Sequence, residues 1–261
     1  MGARFGSREI ANVVFKEIDT GKPVLYLETL ETSSMEQTAE AVYARGGRGN
    51  PKRLMWESDK EIMYNMTDAL ISAESLSMLT GTELDEGKQY VHKKEVVRLP
   101  SDSYEVDLER EPVTGEDDYP MFVFKTTDGY DIGEEISEGS GDGEYALSGK
   151  TLTFGNDFDQ GQDRFIVDYY YETESTNKRM TIKAQNFPGY YRLEAETLWR
   201  RESDGEDLPA IFTMPRVKIA SDFNIENTSA GDPATFEFNV EAFPNADDEM
   251  VIIDVVEDDE E

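Results

Sequence analysis

The sequence predicts a mainly β protein, a β-barrel or β-sandwich with one short flanking helix and an inserted acidic β domain. Three observations predict it. Segments alternating in polarity with a period of two recur along the chain, and the clearest is Ala234–Ala242. There Phe236, Phe238, Val240 and Ala242 fall on one face and Thr235, Glu237, Asn239 and Glu241 on the other. Only Ser72–Gly81 carries the start and stop signals of a helix. Between Leu99 and Ser175, 21 acidic residues stand against four basic ones, Arg110, Lys125, Lys150 and Arg164, and glycine-rich turns separate short strand candidates.

The whole chain shares the acidic bias. Its 57 acidic and 25 basic residues give 261 residues a formal net charge of −32, which favours solubility and repels phosphate backbones. Acidity of this degree raises the question of disorder. Thirteen Phe, 13 Tyr, two Trp and 38% hydrophobic residues supply enough apolar surface for a core, so the chain is expected to fold with an acidic exterior. With no cysteine there is no disulfide framework and no thiolate chemistry. The first residues lack a signal-peptide pattern, which together with the missing cysteine predicts assembly in a reducing cytoplasm. No apolar run approaches the roughly 20 residues needed to span a bilayer, so no membrane partner is expected.

Taken in order, Met1–Gly21 carries Arg4, Arg8 and Lys16 without a strong strand pattern, and it reads as an arm or a frayed terminus. Pro23–Thr32 alternates as a strand. Gly46–Pro51, with three glycines and an Asn-Pro step, is a loop. Leu54–Asp68 follows as a strand with Lys60, Ile62, Tyr64 and Met66 opposite Glu61, Met63, Asn65 and Thr67. Ser72 is a good N-cap for a helix over Ala73–Thr80, whose Leu76 and Leu79 share a face and which Gly81 stops. Further strands are expected at Gln89–Leu99, Met121–Thr126, Lys150–Phe154 and Arg164–Glu172, the last with Phe165, Val167 and Tyr169 on one face of a β-sandwich-like strand. After the acidic segment come Lys178–Ala184, Tyr190–Arg201, Ala210–Met214 bracketed by Pro209 and Pro215, and Met250–Val256. Glu257–Glu261 is a purely acidic tail.

Chemical motifs are scarce, and neither a catalytic residue, a metal site nor a cofactor is predicted. The single histidine, His92, lies in a charged run and has neither a cysteine nor a second histidine to work with, so it reads as a surface residue. Asp157, Asp159, Asp163 and Asp168 approach a calcium-loop spacing, but Gln162 stands where the loop's turn requires glycine and Asp168 where its last ligand is glutamate; the segment reads as a turn with solvated carboxylates. The arginines of ARGGRGNPKR are expected to meet carboxylates and not nucleic acid. A carboxylate-pair glycosidase is the least favoured class, since no segment marks the pair.

Two distant segments, Tyr43–Ser72 (YARGGRGNPKRLMWESDKEIMYNMTDALIS) and Pro215–Pro244 (PRVKIASDFNIENTSAGDPATFEFNVEAFP), together resemble the tail tube proteins of long-tailed bacteriophages. The resemblance covers roughly Pro23–Lys94 and Asn177–Val256. It implies a virion structural protein and not an enzyme, a tail tube subunit whose sheets join those of its neighbours in hexameric rings. The rings stack into the channel for DNA passage. Its partners would be copies of itself and other phage tail proteins, with genomic DNA passing through unbound. Assembly would take place in the bacterial host cytoplasm and the product would be the virion tail.

On this reading residues 1–98 are the first part of a tube domain with 1–21 as an arm, 99–175 the inserted acidic β domain, and 176–261 the second part with the acidic tail. Tyr43, Arg45, Arg48, Asn50, Lys52 and Arg53 would contact an adjacent subunit. Glu61, Glu237 and Glu241, each flanked by apolar residues of the opposite face, would face the lumen, where carboxylates repel phosphates. The insertion departs from the minimal family pattern, which leaves a tail terminator or adaptor, or an acidic decoration or adhesion module, as alternatives.

Overall fold

A computed structural model describes residues 4–115, 119–225, 229 and 235–257. The predicted strand start at Ala234, the tail beyond Glu257 and the first three residues of the N-terminal segment lie outside the described residues. In chain order the elements are β1 (Phe5–Ser7), β2 (Asn12–Lys16), β3 (Pro23–Leu27), β4 (Leu30–Arg45), β5 (Lys52–Asp68), α1 (Ala73–Thr80), β6 (Leu84–Glu86), β7 (Tyr90–Arg98), β8 (Glu105–Asp107) and β9 (Phe122–Thr126). They continue with β10 (Glu135–Ile136), β11 (Tyr145–Ser148), β12 (Thr151–Phe154), β13 (Arg164–Glu172), β14 (Lys178–Met180), β15 (Tyr190–Arg201), β16 (Asp207–Ile219), β17 (Phe236–Ala242) and β18 (Ile252–Val255). Among the described residues the fold is mainly β with one short helix, as the alternating segments predict.

The chain divides into two compact units, Met1–Leu84 with Met180–Glu261, and Asp85–Arg179. In the first unit an open antiparallel sheet runs β3-β2-β15-β16-β17-β5-β4, with β1 added to β15 and β18 to β16. Its inner face supplies Val13 and Phe15 from β2, Leu193 and Ala195 from β15, Phe238 and Val240 from β17, and Tyr64 and Met66 from β5. All belong to one core cluster with Met78 and Leu79 of the helix. Strands far apart along the sheet share this cluster because a strongly twisted sheet curls over what covers its apolar face.

The helix is held as its end signals predict. The Ser72 hydroxyl accepts the Ser75 N–H at 2.9 Å, the Ser75 hydroxyl accepts the Ser72 N–H at 3.0 Å, and Gly81 closes the C-terminus with φ 63°. Leu79 is buried beside Met78, whereas Leu76 stays half-buried.

Four sequence expectations change. The N-terminal segment is not without strands: β1 and β2 both pair with β15 of the same chain. Pro23–Thr32 is two strands, and the second runs on to Arg45. Lys178–Ala184 shrinks to Lys178–Met180. Pro215 stands inside β16 and not beyond its end. It is tolerated because the register slips between Tyr191 and Leu193 opposite it, a bulge at which the missing N–H costs no ladder bond.

The second unit packs a four-stranded sheet, β10-β9-β13-β7, and a three-stranded one, β11-β12-β8, around its own core. Phe165, Val167 and Tyr169 of β13 are fully buried, as their alternation predicts. Phe154 stacks on Phe165 with centroids 4.0 Å apart, and Phe158 meets Phe165 edge-on at 5.2 Å. This unit begins at Asp85 and not at Leu99, because β7 pairs residue for residue with β13 from Tyr90 opposite Glu172 to Arg98 opposite Arg164. β6 and β14 pair in a two-stranded sheet of their own.

Candidate assembly surface

Two features of the first unit stand out by what they leave uncovered. One is the hairpin of β4 and β5. From Ile62 to Asp68, β5 alternates between buried and half-exposed residues and pairs with β17, which ends with Ala242 opposite Ile62. From Lys52 to Glu61 every residue is exposed, and among the described residues β4 is the only neighbouring strand. The hairpin therefore runs on past its own core. A bulge between Thr38 and Glu40, with Asp59 at φ 50°, sharpens its twist there.

This free end is apolar at its flanks and basic at its tip. Val42 pairs with Trp56, Ala44 with Leu54 and Tyr43 with Met55. Val42, Leu54 and Trp56 are each more than half exposed. A two-stranded ribbon with such side chains in water is marginal by itself, and apolar surface concentrated in one place marks an interaction site.

The turn is formed by Gly47, Gly49 and Asn50, all at positive φ, with Asn50 N–H donating to the Gly47 carbonyl at 3.0 Å. Lys52 Nζ lies 3.6 Å from the centre of the Tyr43 ring and the Arg45 guanidinium 5.8 Å from it, while Arg53 Nε donates to the Gly46 carbonyl at 3.2 Å. Arg48 and Asn50 are exposed. From Ala41 to Trp56 the sequence has no carboxylate, and among the described residues Arg45, Arg48, Lys52 and Arg53 have no ion-pair partner. The six residues predicted as subunit contacts are thus brought together at one tip.

The second feature is the outer face of the sheet beside the hairpin. Glu237 stands opposite Thr67 and Glu241 opposite Met63, and Glu61 follows two residues before Met63 on the same side of β5. Their neighbours Ile62, Phe236, Phe238, Val240 and Ala242 are buried, so the three predicted lumen carboxylates share one solvent-facing side.

Sequence reasoning missed the cations on that sheet. Lys218 of β16 stands opposite Glu241 in the strand register, and the Arg216 guanidinium lies 4.3 Å from the centre of the Tyr190 ring. On β15, Glu194 is partly buried, which raises its pKa. The Lys16 ammonium and Arg192, the latter at 2.9 Å, overcome this and hold its carboxyl below the usual range. Only strand register reveals these pairs, since Lys16 and Glu194 lie far apart in sequence.

The other chemical candidates are engaged elsewhere. His92 is oriented by Asp168, a residue 76 positions away in sequence, with Nε2 2.9 Å from Oδ2. Asp163 pairs with Lys125 at 2.8 Å and Asp157 accepts the Gly143 N–H at 2.7 Å, so these carboxylates serve turns. Among the described residues no group of three potential ligands could hold a metal ion.

Residues 5–255 match the YomU/Tube protein family. The chain belongs to the YomU/Tube protein family. A tail tube protein of Bacillus phage SPR is 28% identical over 251 residues, which cover 94% of this chain and 87% of that protein. Family and relative make the chain a structural subunit of a phage tail tube and a component of the virion tail.

Proposed function

We propose that six copies close into a ring through their sheets and hairpins and that rings stack into a tube through which DNA passes unbound. The observation that carries this reading is the β4–β5 hairpin, whose apolar flanks extend past the subunit's own core. Burying one such side chain fully in a neighbour contributes about 1.5–3 kcal/mol, and a ring repeats the gain at every interface. The tip cations Arg45, Arg48, Lys52 and Arg53 would meet carboxylates of an adjacent copy, which a chain of charge −32 offers in abundance.

On this reading Glu61, Glu237 and Glu241 face the lumen and repeat as bands of negative charge, moderated by Lys218. Other tail proteins cap and extend the tube, and assembly takes place in the host cytoplasm. The test is electron microscopy of the purified chain beside a Val42→Ser/Trp56→Ser variant. Sixfold rings or tubes from the first and none from the second are expected, with the variant still folded because both side chains are exposed. A parent chain that stays monomeric at high concentration in both low and high salt overturns the ring. Tubes formed equally by the variant remove the hairpin from the interface.

A further inference from the structure

A ring of more than two identical copies joins unlike surfaces, so a subunit that projects the β4–β5 hairpin also needs a second surface to receive it. The hairpin sets the terms. Val42 stands opposite Trp56, and Leu54 precedes Trp56 by two residues, so these three side chains, each more than half exposed, share one face. Arg45, Arg48, Lys52 and Arg53 follow toward the tip. A receiving surface must be recessed, apolar and acidic at its edge.

A cleft of about 430 Å³ in the first unit meets these terms. It lies at the other edge of the main sheet in strand order, where β3 is outermost. Val24 of β3, Met78 of α1, Phe187 and Tyr191 line it, and Val24 and Phe187 are exposed. The Thr82 hydroxyl beside them is buried and has no hydrogen-bond partner among the described residues, a cost the lone subunit leaves in place. The charged residues of the lining, Glu74 and Glu83, are both acidic, and Glu83 is exposed with no ion-pair partner among the described residues. The larger groove beside β1 fails the same terms. Arg4, Arg8, Arg200 and Arg201 line it and would repel a basic tip, while Arg200 is already held by Asp207 at 2.7 Å, and Arg201 by Asp204 at 2.8 Å and by Glu257 at 3.7 Å.

We propose that the cleft between β3 and α1 receives the β4–β5 hairpin of a neighbouring copy, with Leu54 and Trp56 against Val24, Met78 and Phe187, and Lys52 beside Glu83. The inference rests on the ring reading above and adds where each hairpin lands. Lys52 is the cation that precedes Leu54 by two residues, on the same side of β5. Two copies of a chain of charge −32 repel each other over most of their surfaces. A basic tip on one copy and an acidic cleft on the next supply the local attraction, and because the two surfaces differ they order successive copies head to tail.

Lys52 and Glu83 are both exposed, so changing either should leave the subunit folded, with its cooperative melting unchanged. Glu83→Lys should raise the concentration at which tubes form about tenfold by setting like charges together, and Lys52→Glu should do the same. Both changes in one chain should restore the parent value. The chain has no cysteine, so the contact itself can be read by mixing a Leu54→Cys chain with a Val24→Cys chain and adding a short thiol cross-linker. Cross-linked dimers of the two chains should form in assembled tubes, and should not form when a Gly6→Cys chain, labelled in the arginine-lined groove, takes the place of Val24→Cys. Tubes that give no Val24 cross-link, or a double variant that assembles no better than the single ones, overturn the cleft as receiver and leave the ring standing. A parent chain that never assembles overturns both.

Discussion

Gly81 lies so close to Phe187 that a Cβ added to it would stand 2.3 Å from the Phe187 carbonyl oxygen. Its φ of 63° is also one that side chains disfavour. Gly81→Ala should therefore lower the unfolding free energy by about 2–4 kcal/mol, from left-handed strain plus a backbone clash. Gly21 shares the left-handed φ, at 69°, with nothing within 4 Å. Gly21→Ala should cost only about 1–2 kcal/mol, so the difference between the two in urea denaturation isolates the clash.

Phe165 sits between Phe154 and Phe158 with no exposed surface. Phe165→Ala is expected to destabilise the second unit by about 3–5 kcal/mol. The loss should appear as a separate, earlier unfolding transition that leaves the first unit's transition in place. A single transition shifted as a whole would show that the two units unfold as one.

The same separation predicts that Asp85–Arg179 can be replaced by a short Gly-Ser linker. The remaining core cluster draws every member from the first unit, and inserted domains leave and rejoin their hosts at neighbouring points. The shortened chain should unfold cooperatively and still assemble. Loss of cooperative unfolding would show that the host needs the insert.

Glu237→Lys/Glu241→Lys tests the lumen assignment. Both residues project from the outer side of β17 and should leave the fold intact. If they line a channel, intact tubes should retain duplex DNA in a salt-sensitive way, and virions carrying the change should eject more slowly, most clearly at low ionic strength. Unchanged ejection from intact tubes returns these residues to ordinary solvent-facing roles.

A pH dependence is expected at the turn after β9. The Asp131 carboxylate accepts the Thr126 hydroxyl at 2.6 Å and the Thr127 N–H at 3.0 Å, with the Asp128 N–H at 3.3 Å, which holds its pKa well below the ordinary 3.8. A lowered pKa contributes stability that is present above the ordinary value and lost as pH falls through the lowered one. Amide exchange at Thr127 and Asp128 should quicken, relative to its intrinsic rate, below pH 3.8, and Asp131→Asn should abolish the change. At the alkaline end, burial pushes the Tyr145 phenol up to about 12, and the stability it lends is lost as pH rises through that value.

Much of this was legible from residues alone where a side chain's partner was local or its alternation faced a core. Ser72 and Gly81 announced the helix because each bonds within a few residues of itself. Phe236–Ala242 and Arg164–Glu172 announced strands because one face of each is buried throughout. β4 was read only in its first few residues because Glu31–Arg45 has no buried face, and period-two hydrophobicity records burial and not pairing. The hairpin tip was marked in advance by its glycines and arginines. Its reach past the core was not, since that depends on where β17 stops alongside β5.

The sequence by itself determined the β class, the helix and its two ends, the acidic exterior and the alternating faces on which Glu61, Glu237 and Glu241 lie, because each follows from local geometry and from which residues water excludes. Only the tertiary structure decided that β7 belongs with β13, that the N-terminal segment joins β15, that Lys16 neutralises Glu194, and that Glu257 arrives at Arg201. These are choices of strand partner. Backbone hydrogen bonds are alike at every residue and carry no sequence label, so the pairing is selected by the packing of whole faces and becomes visible only when the chain has closed on itself.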